Sequence, residues 1–250
     1  MHPFFFHFQV RVEDTDCLVL LIHHVKENGF PVYVTTQTGT YKIQDMQQAL
    51  SVEEKIYILI IHAFTGCDTV SGIHGFGKTT LLQRLCSAPQ HVKGHMRTFL
   101  SATSSKEEIA HSGKILFQYI YGGLGTSLGD LRYTIFTKKA ATGVIAPESL
   151  PPTDGSAVQH SLRSYIQTQD WVVLESMSRE ATQYGFEKGS KGYMPIATLE
   201  EWAPPAIRDL IKCNCKGDCD NKRCSCYKNS VQCIVACGTC KGMLCKNSSG

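Results

Sequence analysis

The chain has 250 residues, enough for one large domain or two smaller ones, and its 42% hydrophobic and 19% charged residues are typical of a globular protein. A formal net charge of +3 excludes a strongly basic or acidic chain, so the overall charge identifies no partner. No apolar run is long enough to cross a bilayer, and the opening MHPFFFHF lacks the basic region of a secretion signal, which predicts a soluble intracellular protein without a membrane partner.

The N-terminal residues predict two strands separated by an acidic segment. The first strand covers residues 8–12, the segment EDTD follows, and the second strand covers residues 17–22. Asp14 and Asp16 are two residues apart, a spacing that points both side chains the same way on an extended segment and would let them reach one divalent ion. The alternative is a polar turn with solvated carboxylates. Because the chain opens on a strand without a lead-in element, we expect it to be the C-terminal part of a larger protein.

A hairpin and a helix come next. PVYVTTQTGTYKI, residues 31–43, predicts two strands on either side of Thr38 and Gly39. Ser51 followed by Glu54 is a capping box, and apolar residues then recur at helical spacing, so we predict a helix over residues 52–64 that ends near Gly66.

The segment after this helix contains GIHGFGKT, residues 72–79, which matches the G-x-x-x-x-G-K-[ST] loop that binds nucleotide phosphates. Such a loop requires a strand that leads directly into its first glycine, whereas here a predicted helix and seven further residues precede Gly72. We therefore expect no nucleotide. IHGFGKTTLL fits a helix–hairpin–helix better, in which Gly75 and Gly77 let the backbone approach a DNA phosphate and Lys78 adds a charge. The alternative is a plain glycine-rich turn.

The order of these motifs, EDTDCLVLL, a hairpin, and then TGCDTVSGIHGFGKTTLLQRL, resembles the PIN-like, flap-endonuclease superfamily over roughly residues 8–90. The resemblance implies a structure-specific nuclease core in which Mg²⁺ or Mn²⁺ is held by Asp14, Asp16 and Asp68. It also implies that Gly75, Gly77 and Lys78 contact DNA. The first catalytic Asp of that superfamily has no counterpart in this chain, so the resemblance implies an incomplete catalytic site.

The middle of the chain predicts helices and a linker. Ser104 or Ser105, followed by Glu107 and Glu108, begins a helix to about Tyr121 that the glycine pair 122–123 ends; residues 128–139 and 156–173 are also predicted to be helical. Glycine and proline residues from Gly185 to Pro205, ending in Trp202, Pro204 and Pro205, predict a linker. The pairs His23–His24 and His91–His95 do not indicate a metal site, because isolated histidine pairs are usually solvated or satisfied within a core. For the second pair, Gly94 is also expected to interrupt any helix between the two histidines.

The C-terminal segment carries nine of the twelve cysteines, with the spacing C-x-C-x3-C-x4-C-x-C-x6-C-x3-C-x2-C-x4-C. A disulfide framework is the alternative, but it belongs to secreted chains and an odd count would leave one thiol over. Zinc coordinated by thiolates fits an intracellular protein better. Nine thiolates suffice for about three Zn²⁺ ions if three sulfurs bridge two ions each. The predicted ligands are Cys213, Cys215, Cys219, Cys224, Cys226, Cys233, Cys237, Cys240 and Cys245.

CNCKGDC, CSCYKNSVQC and CGTCKGMLC resemble the CXC (tesmin/TSO1-like) domain over residues 213–245. The resemblance implies three zinc ions and, as in several members, binding to DNA through basic and aromatic side chains near the second C-x-C. By position these are Lys222, Arg223 and Tyr227. Charge compensation of the zinc cluster is the alternative role for the basic residues.

Together these motifs predict an α/β fold with an incomplete PIN-like core over residues 1–100, a helical extension over 101–184, a linker over 185–210 and a CXC zinc domain over 211–247. The whole layout, with HAFTGCDT, LPPTDGSAVQHSLRSYIQTQDW and the cysteine-rich tail, is similar to a group of transposon-associated animal proteins. We expect a nuclear, zinc-containing DNA-binding protein derived from such a nuclease-like protein. The alternative is a divalent-metal-dependent endonuclease.

Overall fold

The computed structural model describes residues 7–140, 146–174, 180–198, 200, 211–234, 237–243 and 245–248. The fold is mixed α/β and rich in helix, with a cysteine-rich cluster near the C-terminus. The chain divides into two compact units, each built from two stretches of sequence: Met1–Gly122 with Ala157–Ala197, and Gly123–Ser156 with Thr198–Gly250. Among the described residues, no helix combines the length and the apolar character that a membrane span requires.

The described helices are, in chain order, α1 (Thr15–His24), α2 (Ile43–Ala49), α3 (Val52–Thr65), α4 (Lys78–Cys86), α5 (Gln90–Leu100), α6 (Lys106–Ile120), α7 (Leu128–Ala140), α8 (Asp154–Val173) and α9 (Ser225–Lys228). Of these, α7 and α9 belong to the second unit. The predicted helices over residues 52–64, 128–139 and 156–173 are confirmed.

Three strands form one sheet of the first unit, in the order β1 (Phe8–Arg11), β2 (Val32–Thr35) and β3 (Thr40–Lys42). β1 runs parallel to β2, and β2 runs antiparallel to β3, so the predicted hairpin is confirmed. Val12, Val34 and Ile43 are buried together beside this sheet.

The second strand predicted over residues 17–22 is wrong, because these residues belong to α1. Leu18 and Leu21 pack with the core beside the sheet, whereas Val19 and Leu20 pack against the core that α3 provides. A helix that is covered on two sides is apolar nearly all round, and a short apolar run of this kind has no visible helical period. Asp14 begins the helix, since its carboxylate accepts a hydrogen bond from the N–H of Asp16.

Two helices begin with the capping boxes that the sequence predicts. Ser51 and Glu54 bond each other's backbone N–H at the start of α3, and Ser105 and Glu108 do the same at α6. The helix α6 ends at the glycine pair, where Gly122 adopts a φ of 76°.

The helix α5 runs without interruption from Gln90 to Leu100, so the expectation that Gly94 interrupts a helix between His91 and His95 is wrong. A single glycine costs a helix only about 1 kcal/mol relative to alanine, which the burial of Val92, Met96 and Phe99 on the inner face of α5 outweighs.

A second hairpin, β4 (Phe186–Gly189) paired antiparallel with β5 (Gly192–Pro195), lies within the range for which the sequence predicts a linker. Residues 201–210 of that range, with Trp202, Pro204 and Pro205, lie outside the described residues. The predicted domain boundaries stay predictions.

Candidate metal centre

Cysteine side chains form the core of the tail in the second unit. Seven of the nine predicted ligands are buried together, and among the described residues Ile211 is the one other buried member of this cluster. The remaining two, Cys215 and Cys245, are half-buried and pack against it. A core of this composition offers little apolar surface, so the described segment needs another source of folding free energy.

The distances between sulfur atoms match those of tetrahedral zinc sites. A Zn–S bond of about 2.3 Å places two sulfurs of one tetrahedron about 3.8 Å apart, whereas a disulfide bond is about 2.05 Å long. All twelve cysteines are free thiols. The measured Sγ–Sγ distances are 3.8 Å for Cys213–Cys219, 3.8 Å for Cys213–Cys233, 4.0 Å for Cys213–Cys240, 3.9 Å for Cys224–Cys233 and 3.6 Å for Cys226–Cys237. The tail can therefore hold zinc, and its geometry does not fit disulfides.

The sulfurs form overlapping sets, as shared ligands require. Four sets of four cysteines have all their sulfurs within 4.8 Å of one another, and every one of the nine predicted ligands belongs to at least one set. Cys213 and Cys233 each belong to three of the four sets. A thiolate that belongs to several sets can bridge two ions. Such bridging sulfurs are needed if nine ligands are to coordinate three ions.

Backbone N–H groups also lie close to two of the cysteine sulfurs. The N–H groups of Cys213 and Ile234 lie 3.4 Å and 3.3 Å from Sγ of Cys237, and the N–H of Tyr227 lies 3.5 Å from Sγ of Cys224. Such N–H donors stabilise a thiolate more than a thiol.

Most of the buried thiols are nevertheless poor acids. Burial raises the pKa of Cys213 to about 12, and burial also raises the pKa values of Cys226 and Cys233. Burial acts on Cys240 too, but the N–H of Gly242 and the neighbouring thiols outweigh it and lower its pKa to about 7. A cation that binds here must therefore displace protons.

The predicted DNA-contacting residues lie on the outside of this core. Lys222, Arg223 and Tyr227 are exposed. Lys222 and Tyr227 line a groove of about 380 Å³, while Arg223 is not part of its lining. Lys228 also lines the groove, and it was not predicted from the sequence. Its Nζ lies 2.9 Å from Oε1 of Glu148. The sequence feature that could have identified Lys228 is its position directly after Tyr227 in the tail.

The three predicted acidic ligands of the first unit also lie together. Carboxylate oxygens of Asp14, Asp16 and Asp68 are within 4.8 Å of one another, although these residues are exposed or half-buried. Asp14 and Asp16 meet at the first turn of α1, and Asp68 comes from the turn in which Cys67 and Val70 exchange backbone hydrogen bonds. The structure brings the three predicted residues together, and their role as metal ligands stays a prediction. The extended segment expected at Asp14 and Asp16 is instead the start of α1.

His62 joins this acidic cluster and was missed by the sequence analysis. Its Nε2 lies 2.6 Å from Oδ1 of Asp16, and Nζ of Lys78 lies 3.3 Å from both of its ring nitrogens. Burial lowers the pKa of His62, the hydrogen bond that it donates to the carboxylate of Asp16 opposes that shift, and the charge of Lys78 adds to it. The one signal in the sequence was a polar residue inside the apolar run of α3.

The predicted phosphate-binding hairpin is a loop that enters α4. Gly75 has a φ of 82°, in the left-handed region that favours glycine, and Gly77 caps α4. A Cβ atom built on either glycine would meet nothing within 4 Å, so this backbone is open to approach. Lys78 follows Gly77 directly, and its Nζ lies 3.3 Å from Nδ1 of His62.

No family model, no curated protein and no solved structure matched the chain. The CXC-like interpretation of the tail therefore rests on the cysteine spacing and the sulfur geometry. The comparisons support neither a PIN-like nuclease core nor a transposon-derived origin.

Proposed function

We propose that the protein binds DNA through its zinc-loaded C-terminal tail. The observation that carries this proposal is the groove lined by Lys222, Tyr227 and Lys228, which lies beside the cysteine core. A basic groove with an aromatic side chain offers charges for phosphates and a flat surface for bases or sugars.

The short helix α9 couples metal binding to this groove. Cys224 caps the helix and Cys226 is buried within it, whereas Tyr227 and Lys228 of the same helix are exposed. A helix of four residues is not stable by itself, so its position depends on its two cysteines. Bound Zn²⁺ would cross-link the thiolates and supply on the order of 10 kcal/mol of folding free energy per ion. Zinc would thereby fix the groove side chains.

The charge balance of the tail favours an anionic partner. Lys and Arg exceed Asp and Glu by five between Lys212 and Lys246. Nine thiolates with three Zn²⁺ ions carry a net charge of about −3, which leaves a net charge of about +2. The two acidic residues of the tail are already counted in this balance and share one partner, since Nζ of Lys246 lies 3.0 Å from Asp218 and 3.3 Å from Asp220. A positive charge therefore remains for phosphates.

Zinc content is the first test. Elemental analysis of the purified full chain should give about three zinc ions per chain, since nine thiolates fill three tetrahedral sites by bridging. A zinc content near zero, with disulfides detected by mass spectrometry, would contradict the cluster.

DNA binding is the second test, measured by fluorescence anisotropy of a labelled duplex over a range of salt concentrations. Lys222→Ala should weaken binding and reduce the salt dependence of log K by about one unit, because one phosphate contact is lost. The matched control is Lys216→Ala, which removes the same charge from an exposed position of the tail outside the groove. Equal losses in the two variants would show that only net charge matters and would contradict the groove.

The second candidate function is cleavage of branched or flapped DNA that depends on Mg²⁺ or Mn²⁺. The convergence of Asp14, Asp16 and Asp68 favours it, since carboxylate oxygens are the ligands that these ions prefer. These three residues would hold the ion, which would polarise the phosphodiester and its attacking water. The open backbone at Gly75 and Gly77, with Lys78, would contact the DNA backbone.

Incubation of the full chain with labelled flap DNA and Mn²⁺ separates the two functions. Cleavage by the wild type that disappears in Asp14→Ala and Asp68→Ala would establish the enzyme. Binding without cleavage would leave the chain as a DNA-binding protein.

An origin from a nuclease-like, transposon-associated protein and a nuclear location belong to the same proposal. Fluorescence microscopy of the tagged full chain tests the location, and a tagged chain that stays out of the nucleus would contradict it.

A further inference from the structure

The groove that carries the proposed function has the size of a site for a small ligand. Its volume is about 380 Å³, within the range of roughly 300–1,000 Å³ over which pockets enclose small molecules. All of its lining residues come from one stretch of the tail, residues 222–247. A concave site of this size accepts a group that projects from its partner, such as one nucleotide, rather than a whole face of a duplex.

Tyr227 supplies an aromatic surface in this groove. The residue is 45% exposed and belongs to α9, in which Cys224 is the cap and Cys226 is buried. Stacking on an aromatic ring needs a free face of a base. In a duplex the bases are stacked on their neighbours and present only their edges to the grooves, whereas an unpaired base can be splayed out of the strand. The ring therefore favours a partner with unpaired bases.

Amide side chains lie in the same groove as this ring. Gln232 lines the groove and is exposed. Asn247 also lines it, and its Nδ2 donates to the carbonyl of Val231 at 3.0 Å and lies 3.5 Å from Sγ of Cys233. Because these contacts use the amide nitrogen, Oδ1 of Asn247 is the atom left to accept a hydrogen bond from a ligand. Hydrogen-bonding side chains beside an aromatic ring can contact the Watson–Crick edge of an unpaired base.

Two lysines add positive charge to the groove. Lys222 and Lys228 are exposed, and Nζ of Lys228 lies 2.9 Å from Oε1 of Glu148. Both partners of this ion pair are partly exposed, so the pair is weak and a phosphate can replace the carboxylate at little cost. Phosphate contacts bind single strands and duplexes alike. The lysines therefore contribute affinity, and the aromatic ring distinguishes the two forms of DNA.

We propose that the groove binds an unpaired nucleotide of a DNA strand. The base stacks on Tyr227, and its edge contacts Gln232 and Asn247. The phosphates contact Lys222 and Lys228. This inference rests on the proposed DNA-binding function and narrows its substrate to single-stranded DNA.

The test is fluorescence anisotropy of the zinc-loaded full chain with a labelled single strand and with the duplex of the same sequence. Tyr227→Leu should weaken binding of the single strand about tenfold and change binding of the duplex less than about twofold, because only the unpaired base stacks on the ring. Tyr227→Phe keeps the ring and should bind the strand as the wild type does. The salt dependence should be unchanged in both variants, since neither removes a charge.

A second variant acts on the edge of the base and leaves the ring in place. Gln232→Ala, at an exposed position, should weaken binding of the single strand about threefold, because one neutral hydrogen bond is lost, and should leave duplex binding unchanged. The matched control is Tyr133→Leu, which alters an exposed tyrosine of α7 outside the groove and should bind both forms as the wild type does. Elemental analysis should give the wild-type zinc content in every variant.

The outcomes separate this inference from the function on which it rests. Equal losses of single-strand and duplex binding in Tyr227→Leu would overturn the inference, and so would unchanged single-strand binding in that variant. A wild type that binds the duplex but not the single strand would overturn it and leave the DNA-binding function intact. A wild type that binds neither form would overturn both.

Discussion

Single side chains of α8 satisfy the ends of two other helices. The last carbonyls of a helix have no partner within it, and each one that is buried needs a donor from elsewhere. Three polar side chains of α8 supply such donors: His160 Nε2 lies 2.9 Å from the carbonyl of Phe64, Tyr165 OH 3.0 Å from that of Ser101, and Gln169 Nε2 2.8 Å from that of Phe99. These three side chains of α8 are therefore structural.

His160 makes the stability of the first unit depend on pH. Burial lowers its pKa from 6.5 to about 4, so its contribution is fully present above pH 6.5 and is lost as the pH falls from 6.5 through about 4. We expect the wild type to lose about 2 kcal/mol more than His160→Gln between about pH 7.5 and pH 5 in urea unfolding. The glutamine donates to the same carbonyl without titrating, and the other titrating groups are common to both proteins. Parallel pH dependences would contradict this role.

Individual residues also show which parts of the acidic cluster the sequence could predict and which it could not. Asp14, Asp16 and Asp68 were predictable as a cluster because a motif order placed them together. His62 was not, since its 2.6 Å contact with Asp16 arises from the packing of α1 on α3, which no local pattern encodes.

At the scale of helices and strands, local chemistry was predictable and tertiary packing was not. The capping boxes of α3 and α6 identified both helix starts, because side chain and backbone groups within four residues decide them. The helix α1 was predicted as a strand because it packs against two cores, so its apolar residues show no amphipathic period. Gly94 shows the same limit of prediction from local sequence. Its low helix propensity predicts a break, but tertiary packing keeps the residue within α5.

Two glycine substitutions test how the loop after α3 and the helix α5 are held. Gly66 has a φ of 117°, and a Cβ atom there would lie 2.6 Å from Cα of Gly72. Gly66→Ala should therefore lower the free energy of unfolding by roughly 1–3 kcal/mol. Gly94→Ala is the matched control, because it places the same methyl group in open space within a helix and should stabilise by roughly 0.5–1 kcal/mol. Urea unfolding of the two variants measures both effects, and a neutral Gly66→Ala would contradict the close approach.

At the scale of the whole molecule, the first unit and the cysteine-rich tail are stabilised by different interactions. The first unit buries large apolar side chains such as Leu59, Phe64 and Phe99. The described part of the tail buries cysteines and Ile211. Burial of apolar surface does not depend on a metal, whereas a thiol core without a cation keeps most of its protons and gains little from packing.

Zinc removal should consequently affect one part of the chain. After chelation under reducing conditions, we expect amide hydrogen exchange to become fast in residues 213–243 and to stay slow in α3 and α6, because on the order of 10 kcal/mol per zinc is withdrawn from the tail alone. Peptide-level hydrogen exchange with mass spectrometry measures this, and re-addition of Zn²⁺ should restore protection. Cys226→Ser should reproduce the effect, since it removes a buried ligand, whereas Cys86→Ser, which alters a thiol of α4 in the first unit, should leave the tail protected. A tail that stays protected without zinc would show that packing, and not the metal, holds the cysteine core together.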